Sequence, residues 1–206
     1  MSYVDLHVHS NASDGTLSPE QVVRLAHEAG LSAIALTDHD TTAGVAGAAE
    51  AGAELGLEVV PGIEVSSSFR DHEIHILGLF VDTDSPSLQA ALKEFRHHRD
   101  QRNQEMLGRF DAHGIHLTAE DLCAGNPDTV ITRAHVARAL LAKGLGPDLD
   151  HIFKKYLQYG GIYCPPKEFL PPEAVMEALL DSHAFVALAH PFQYKLGDKA
   201  TEELIA

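Results

Sequence analysis

Histidine and carboxylate side chains recur in this chain where short apolar segments end. His7 and His9 are two residues apart on one face of a predicted strand, opposite the apolar residues of the same strand. Neutral imidazoles with this spacing can bind a single zinc, manganese or iron ion. Asp14 lies in the loop after this strand, and further residues of these types follow or lie within later apolar segments. The candidate metal ligands are His7, His9, Asp14, His39, Glu64, His75 and His190.

The predicted positions of these residues favour one shared, multinuclear metal site. His39 and Glu64 end the second and third predicted strands, and His190 ends the last one. A parallel barrel assembles its active site from side chains at the carboxyl ends of several strands. Individual residues have other interpretations: Asp14 can cap its own Ser-Asp-Gly turn, and His75, between two isoleucines, can belong to the core. Three more carboxylates can either orient the imidazoles or cap local turns: Asp5, Asp38 and Asp40.

The elements that would position these ligands alternate between strand and helix over the first 80 residues. Hydrophobic periodicity, capping residues and glycines predict strands at 4–8, 32–37, 58–64 and 73–80, with helices at 18–30 and 43–55. This alternation is typical of a parallel sheet, and a barrel is its natural closed form.

After Val81 the sequence pattern predicts only helices, at 85–114, from 118, at 133–143 and at 148–158. A further helix at 172–181 precedes a short apolar strand at 184–189. We therefore expect a first barrel part at 1–84, an inserted all-helical subdomain at 85–161 and a continuation of the barrel at 162–206.

Length and composition indicate a single large globular domain. The chain has 206 residues, of which 45% are hydrophobic and 22% charged, which argues against a disordered or fibrous protein. The N-terminal residues lack the pattern of a signal peptide, and no apolar run is long enough to span a membrane. We expect a cytoplasmic protein without membrane partners, in which Cys123 and Cys164 are packing residues.

Charge is distributed unevenly along the chain. The formal net charge of −15 argues against general affinity for duplex DNA, which depends on a positive surface. Residues 1–80 contain 12 acidic residues and only two basic ones, whereas six of the eight arginines lie between Lys93 and Lys143. An anionic ligand is therefore expected to bind from the side of the helical insertion.

The motifs that carry the metal ligands resemble those of the PHP family, the polymerase and histidinol phosphatase phosphoesterases. They are Asp5-Leu6-His7-Val8-His9-Ser10, Ser13-Asp14-Gly15, Thr37-Asp38-His39-Asp40, Gly62-Ile63-Glu64 and Ala189-His190-Pro191. The Ser-Asp-Gly form and the insertion resemble the TrpH-like branch of nucleoside 3′,5′-bisphosphate phosphatases and 5′-to-3′ oligoribonucleases. This resemblance implies an α/β fold, a distorted TIM-like (β/α)7-type barrel, with two or three manganese, iron or zinc ions per site.

The resemblance also implies how the ligands are shared. His7, His9 and Glu64 would hold one ion, Glu64 would bridge to a second ion held by His75 and His190, and Asp14 and His39 would hold a third. The family pattern ends with an Asp-x-His pair on a later strand, and no Asp-x-His occurs after His190 in this chain, so we expect its C-terminal part to be missing.

The predicted metal ligands and the arginines of the insertion together indicate an enzyme that hydrolyses phosphoesters. A metal-bound hydroxide, supported by His7, His9, Asp14, His39 and Glu64, would attack the phosphorus atom. Guanidinium groups donate paired hydrogen bonds to phosphate oxygens, and the resemblance assigns substrate binding to Arg99, Arg102, Arg133 and His135. The predicted reaction removes the 3′-phosphate of a nucleoside 3′,5′-bisphosphate while these residues hold the 5′-phosphate.

Other functions remain as alternatives. A 5′-3′ exoribonuclease would bind the end of a short single-stranded RNA through the same local basic residues. A non-catalytic metal-binding or sensing module would use the metal ligands alone. An amidohydrolase often bridges its metals with a lysine of the barrel. That function is disfavoured because the first lysine of this chain, Lys93, lies outside the predicted barrel strands. Three tyrosines can stack on a base, although packing between helices is the favoured interpretation: Tyr156, Tyr159 and Tyr163.

Overall fold

The protein has an α/β fold, seen in a computed structural model that describes residues 3–70, 72–123, 125–166 and 169–205. Within these residues five strands form one curled sheet, a half-barrel, and eight α-helices and a short 3₁₀ helix surround it. The strands are β1 (Tyr3–Val8), β2 (Leu31–Leu36), β3 (Glu58–Phe69), β4 (His72–Leu79) and β5 (Phe185–Leu188). The helices are α1 (Pro19–Glu28), α2 (Val45–Leu55), α3 (Pro86–Ala112), α4 (Ala119–Cys123), α5 (Arg133–Ala142), α6 (Leu149–Tyr156), α7 (Pro172–Asp181) and α8 (Asp198–Ile205), with the 3₁₀ helix at Pro191–Tyr194.

The strand order follows the chain, from β1 to β5, but the sheet is mixed. β1, β2 and β3 are parallel, whereas β4 is antiparallel to both β3 and β5. The expectation of a parallel sheet was therefore wrong at β4. The physical reason is the short connection between Phe69 and His72, since a parallel pair needs a crossover of a dozen or more residues.

β3 is longer than predicted and continues past Glu64 to Phe69. Its side chains alternate between two faces of the sheet. Ile63 and Val65 point outwards into an apolar core that includes residues of α3 and α7, among them Leu88 and Leu179. Glu64 therefore lies on the inner face, in the middle of a strand that is anchored by its outer face.

Helix boundaries follow local sequence signals closely. Ser18 and Gln21 form the predicted capping box at the start of α1, and Gly56 ends α2 in the left-handed conformation. These two helices cover β2 through a core that contains Val23, Ile34 and Ala48. Packing of α1 and α2 therefore fixes the position of the carboxyl end of β2, which leads to His39.

The long helix α3 joins two separate apolar cores. Leu92 at its beginning packs in the core of the sheet, and Phe110 near its end packs among α4, α5 and α6. Three buried polar residues lie between these two segments: Arg99, Arg102 and Asn103. The domain limits at 84, 161 and 162 are not tested by this arrangement and stay predictions.

The apolar face of β1 is more exposed than its alternating pattern predicts. The exposed fractions of Val4 and Leu6 are 55% and 41%, because β1 is an edge strand of the described sheet. β5 forms the other edge, and the complete (β/α)7-type barrel stays a prediction. The last described helix is α8, and Ala206 lies outside the described residues. None of the described helices is both long and apolar enough to cross a membrane.

Candidate metal centre

A buried carboxylate, Glu64, lies at the centre of the predicted ligand set. Only 1% of its surface is exposed, and imidazole nitrogens approach both of its oxygens. The Oε1 atom lies 3.1 Å from His75 Nδ1 and 2.9 Å from His190 Nε2. The Oε2 atom lies 3.3 Å from His7 Nε2, 3.2 Å from His9 Nε2 and 3.1 Å from His39 Nδ1.

Five separate segments bring these side chains together. β1 supplies two imidazoles and β4 supplies one, while His39 follows β2 and forms an isolated bridge with Glu64. His190 follows β5 with a φ of 28°, a left-handed conformation that is costly for a residue other than glycine. Backbone strain of this kind persists where the surrounding structure imposes it, which is common at functional sites.

The donor set fits divalent metal ions. Around an ion with ligand bonds of about 2.0–2.2 Å, neighbouring ligand atoms are roughly 3.0–3.5 Å apart, which resembles the nitrogen–oxygen distances here. The Nδ1 atom of His39 is buried and makes no hydrogen bond, although Glu64 Oε2 is near, as expected of an atom oriented towards a metal. Two groups of ligand atoms share Glu64, one with His7 and His190 and the other with His9 and His39.

Asp14 lies at the edge of this cluster. Its carboxylate oxygens are 3.7 Å from His9 Nδ1 and 3.6 Å from His39 Nε2. The structure thus brings all seven predicted ligands together, but it groups His7 with His190, whereas the resemblance implied His7 with His9. The ligand roles themselves stay predictions.

Asp38 holds the loop that carries Asp14. This buried carboxylate accepts hydrogen bonds from the backbone N–H and the hydroxyl of Ser10, at 2.8 and 2.5 Å, and from the Ser13 hydroxyl at 2.6 Å. The Ser13 hydroxyl in turn lies 3.4 Å from His9 Nδ1. Asp38 therefore fixes the loop between β1 and α1, and through the Ser13 hydroxyl it is connected to the ring of His9. Asp5, by contrast, caps its own strand locally through the His7 N–H.

The electrostatics of the cluster reflect one buried anion among several imidazoles. Burial raises the pKa of Glu64, but hydrogen bonds from His190, His7, His75 and His9 outweigh it and hold that pKa far below its ordinary value. Burial likewise lowers the pKa of His75, yet the hydrogen-bonded carboxylate of Glu64 and the nearby carboxylate of Glu73 raise it to about 9. Burial dominates at His39 and lowers its pKa to about 4. Glu64 is thus ionised, and His39 is neutral, at physiological pH.

Two arginines of α3 have very different surroundings. The guanidinium of Arg99 donates hydrogen bonds to two neighbouring side chains. Its Nε donates to Asp40 Oδ2 at 2.5 Å, and one Nη donates to the Ser66 hydroxyl at 2.8 Å. Burial lowers the pKa of Arg99, but Asp40 outweighs burial and raises it. The contact explains why Asp40 is buried, and it ties α3 to the sheet beside the metal ligands.

Arg102 has no carboxylate partner within the described part of the chain. Only 5% of its surface is exposed, its Nε makes no hydrogen bond, and one Nη donates to Asn103 Oδ1 at 2.8 Å. Burial and the neighbouring charge of Arg99 lower its pKa. Arg102 is therefore a buried cation that forms no ion pair with a carboxylate of the described residues.

The start of α5 carries the other predicted substrate-binding residues. Arg133 donates to Glu73 Oε2 at 2.8 Å, and its guanidinium lies 3.9 Å from the ring centre of Tyr159. His135 is buried and accepts a hydrogen bond from the Thr132 N–H at 3.0 Å, so it completes the capping box of this helix. Its contacts are those of a capping residue, and its role in substrate binding stays a prediction.

Replacing His135 with glutamine is expected to remove a pH-dependent part of the stability. Burial, followed by the charge of Arg138, lowers the pKa of His135 from 6.5 to about 4. Below pH 6.5 the unfolded chain therefore binds a proton that the folded chain does not, so stability is complete above pH 6.5 and falls towards pH 4. The loss at pH 5 is about 2 kcal/mol. Glutamine preserves the capping-box geometry without titrating.

Urea unfolding of the metal-free protein at pH 7.5 and pH 5.0 measures this effect. The free energy of unfolding should fall about 2 kcal/mol further in the parent chain than in His135→Gln. Comparing the two chains cancels the titration of the other histidines. Identical pH dependence in both would show that His135 does not carry the effect.

Sequence reasoning missed Glu73 and misjudged one of three tyrosines. Tyr156 and Tyr163 pack with Phe110 in the helical core, which is the interpretation that the sequence favoured. Tyr159 instead is 38% exposed and donates its hydroxyl to Glu73 beside Arg133. The signal that could have identified Glu73 is its position two residues before His75, which places both on one face of β4.

A cavity of about 130 Å³ connects the metal ligands with the helical insertion. The strands and the loops that follow them contribute Asp14, His39, Glu73 and His75 to its lining, and the helical segments contribute Arg99, Arg102, Thr132, Arg133, Ala134 and Phe153. At about 30 Å³ per water molecule, its volume suits roughly four waters, or a phosphate group of five heavy atoms. Carboxylates, imidazoles and arginines thus line one small space.

Comparison with known proteins places these features in a family context. The sequence model of the family described as PHP domain matches residues 5–161 of this chain. The 5′-3′ exoribonuclease Rnm of Escherichia coli K12 is 37% identical over 98% of this chain and 70% of its own length. The 3′,5′-nucleoside bisphosphate phosphatase of Chromobacterium violaceum is 36% identical over 100% of this chain and 72% of its own length.

Solved structures show the same fold. A Chromobacterium violaceum protein described as an amidohydrolase, with bound sulfate and no metal, superposes with a TM-score of 0.92 at 36% identity, over 98% of this chain and 72% of that one. A Bifidobacterium adolescentis protein described as a candidate metal-dependent phosphoesterase superposes with a TM-score of 0.89 at 28% identity, over 99% and 74%.

Proposed function

Because the chain belongs to the PHP domain family and is a metal-dependent hydrolase of phosphoester bonds, we propose that its substrate is a nucleoside 3′,5′-bisphosphate. The metal centre would hold the 3′-phosphate that is removed, and the arginines of the insertion would hold the 5′-phosphate. The observation that carries this proposal is the buried guanidinium of Arg102, which pairs with no carboxylate among the described residues, in a cavity that also contains metal ligands.

The cavity offers a second anion position next to the metal ligands. Burying an isolated charge is unfavourable, and an anion beside Arg102 would offset that cost. Thr132, Arg133 and Ala134 also line the cavity, so the amino end of α5 faces the same space. The partial positive charge of a helix amino terminus favours phosphate binding. Two phosphates on one small molecule would then occupy both sides.

The ligand atoms support two or three divalent ions. We propose that one ion is shared by Glu64, His7 and His190 and another by Glu64, His9 and His39, with Asp14 and His75 completing the set. Such ions lower the pKa of coordinated water and neutralise the charge that develops on a phosphoryl group. The identity of the ions, expected to be manganese, iron or zinc, stays a prediction.

The chain's own residues contribute positioning and charge. Glu64 and His39 present a deprotonated carboxylate and a neutral imidazole as ligands, because hydrogen bonds from the surrounding imidazoles lower the pKa of Glu64 and burial lowers the pKa of His39. Arg102 and Arg133 would donate hydrogen bonds to the second phosphate and so orient the first. Arg99 would act mainly by holding α3 against Asp40, and His135 by capping α5.

A 5′-3′ exoribonuclease is the second candidate. The observation that favours it is the 37% identity to a protein of that name over nearly the whole chain. The same arginines would bind the 5′-phosphate of a short single-stranded RNA, and the metal centre would hold the next phosphodiester.

Phosphate release and RNA shortening distinguish the two candidates. With manganese present, the chain should release phosphate from adenosine 3′,5′-bisphosphate faster than from adenosine 3′-monophosphate, and a chelator or His9→Ala should abolish release. Faster removal of single nucleotides from a 5′-phosphorylated RNA of five nucleotides would favour the exoribonuclease. Equal rates on the bisphosphate and the 3′-monophosphate would contradict a second phosphate position.

A further inference from the structure

Glu73 contacts both sides of the cavity at once. Its Oε1 atom lies 3.7 Å from Nε2 of His75, whereas its Oε2 atom accepts the 2.8 Å hydrogen bond from Arg133. The Tyr159 hydroxyl donates to the same Oε2 atom. Only 13% of the Glu73 side chain is exposed, so these contacts lie largely out of solvent.

The two nitrogens of His75 face different partners. Nδ1 points to Glu64 and His190, at 3.1 and 3.2 Å, and Nε2 points to Glu73. A histidine that binds a metal through one nitrogen usually contacts a carboxylate or carbonyl through the other, which fixes the orientation of the ring. The Oε1 atom of Glu73, at an ion-pair distance of 3.7 Å, lies in that outer position of His75.

The backbone makes this arrangement rigid. Glu73 and His75 are two residues apart on β4, so both side chains lie on its inner face. Their partners across the hairpin are Ser68 and Ser66. The position of Oε1 therefore depends mainly on the Glu73 side chain, which Arg133 and Tyr159 hold through Oε2.

We propose that Glu73 is a positioning residue that couples the metal ligand His75 to Arg133, an arginine of the helical segment that lines the same cavity. This inference rests on the proposed function, which supplies the metal role of His75 and the phosphate role of Arg133. Arg133 holds Glu73, Glu73 orients the His75 ring, and His75 presents Nδ1 to the metal. A change at the second phosphate position thereby reaches the metal centre through one carboxylate.

Calorimetric titration of the metal-free protein with Mn²⁺ tests this coupling. Glu73→Gln keeps the shape of the side chain but loses its charge, and it should weaken Mn²⁺ binding about 10-fold or more, as is typical for outer partners of metal-binding histidines. Arg133→Lys keeps the positive charge but loses the fixed guanidinium geometry. It should weaken Mn²⁺ binding severalfold in the parent chain and have almost no effect in the Glu73→Gln chain.

Arg109→Lys is the matched control, because Arg109 pairs with Glu105 at the surface of α3. It should leave Mn²⁺ affinity within twofold of the parent value. The coupling would be overturned by equal effects of Arg133→Lys in both chains, by unchanged affinity in Glu73→Gln, or by a collapse of the melting temperature of the metal-free Glu73→Gln protein, which would indicate a structural role. These titrations use no substrate, so their failure is distinct from absence of bisphosphate hydrolysis.

Discussion

Replacing Glu64 with glutamine is expected to abolish phosphoester hydrolysis, with a fall in kcat of about 10⁴-fold or more, or roughly 5 kcal/mol of activation free energy. Glu64 is the buried carboxylate shared by both groups of ligand atoms, and imidazoles surround both of its oxygens. The amide removes the negative charge and places an N–H₂ group where one ligand oxygen lies. Metal content after dialysis should fall together with activity.

The same chemical change at an exposed site provides the control. Glu105 pairs with Arg109 on the outer surface of α3, and 56% of its side chain is exposed. Glu105→Gln should keep full metal content and full activity. Retention of both ions and of near-parental kcat in Glu64→Gln would show that Glu64 is not the shared ligand.

Replacing Arg102 with methionine is expected to separate catalysis from stability. Loss of a charged hydrogen-bond donor to the second phosphate should lower kcat/KM for adenosine 3′,5′-bisphosphate about 100-fold, or nearly 3 kcal/mol, with little change for adenosine 3′-monophosphate. The free energy of unfolding should change by less than about 1 kcal/mol, because the substitution removes a buried charge that has no carboxylate partner among the described residues.

Arg99→Met is the matched comparison one helical turn away. Arg99 compensates the buried Asp40 and binds Ser66, so its loss should reduce the free energy of unfolding by about 3 kcal/mol or more. Urea unfolding and steady-state kinetics of both variants distinguish the two arginines. A large loss of stability in Arg102→Met, or equal kinetic losses on both substrates, would contradict a phosphate-binding role for Arg102.

The convergence of the candidate ligands could be predicted because strand alternation and strand ends are local properties of the sequence. His7 and His9 share a face as a consequence of the two-residue period, and His39 follows a strand whose apolar pattern is plain. The α/β class and the caps at Ser18 and Thr132 follow from equally local signals.

What the sequence could not predict depends on contacts between distant segments. Nothing in the sequence near Arg99 indicates that Asp40 neutralises it, and nothing near Arg102 indicates that no carboxylate of the described residues pairs with it. The exposure of Val4 likewise depends on which strands flank β1. The direction of β4 was the exception, since the short connection before His72 already required a hairpin.

The hairpin of β3 and β4 restricts how the length of this segment can vary. Ser66 pairs with His75 and Glu64 with Leu77, so the inner face of the hairpin depends on a single register. Inserting or deleting one residue within β4 between His75 and Leu79 would turn His75 and Glu73 to the apolar face, and Ile74 to the metal centre. Changes of length are therefore compatible with this site only at the tip of the hairpin, next to Arg70, where the chain reverses direction.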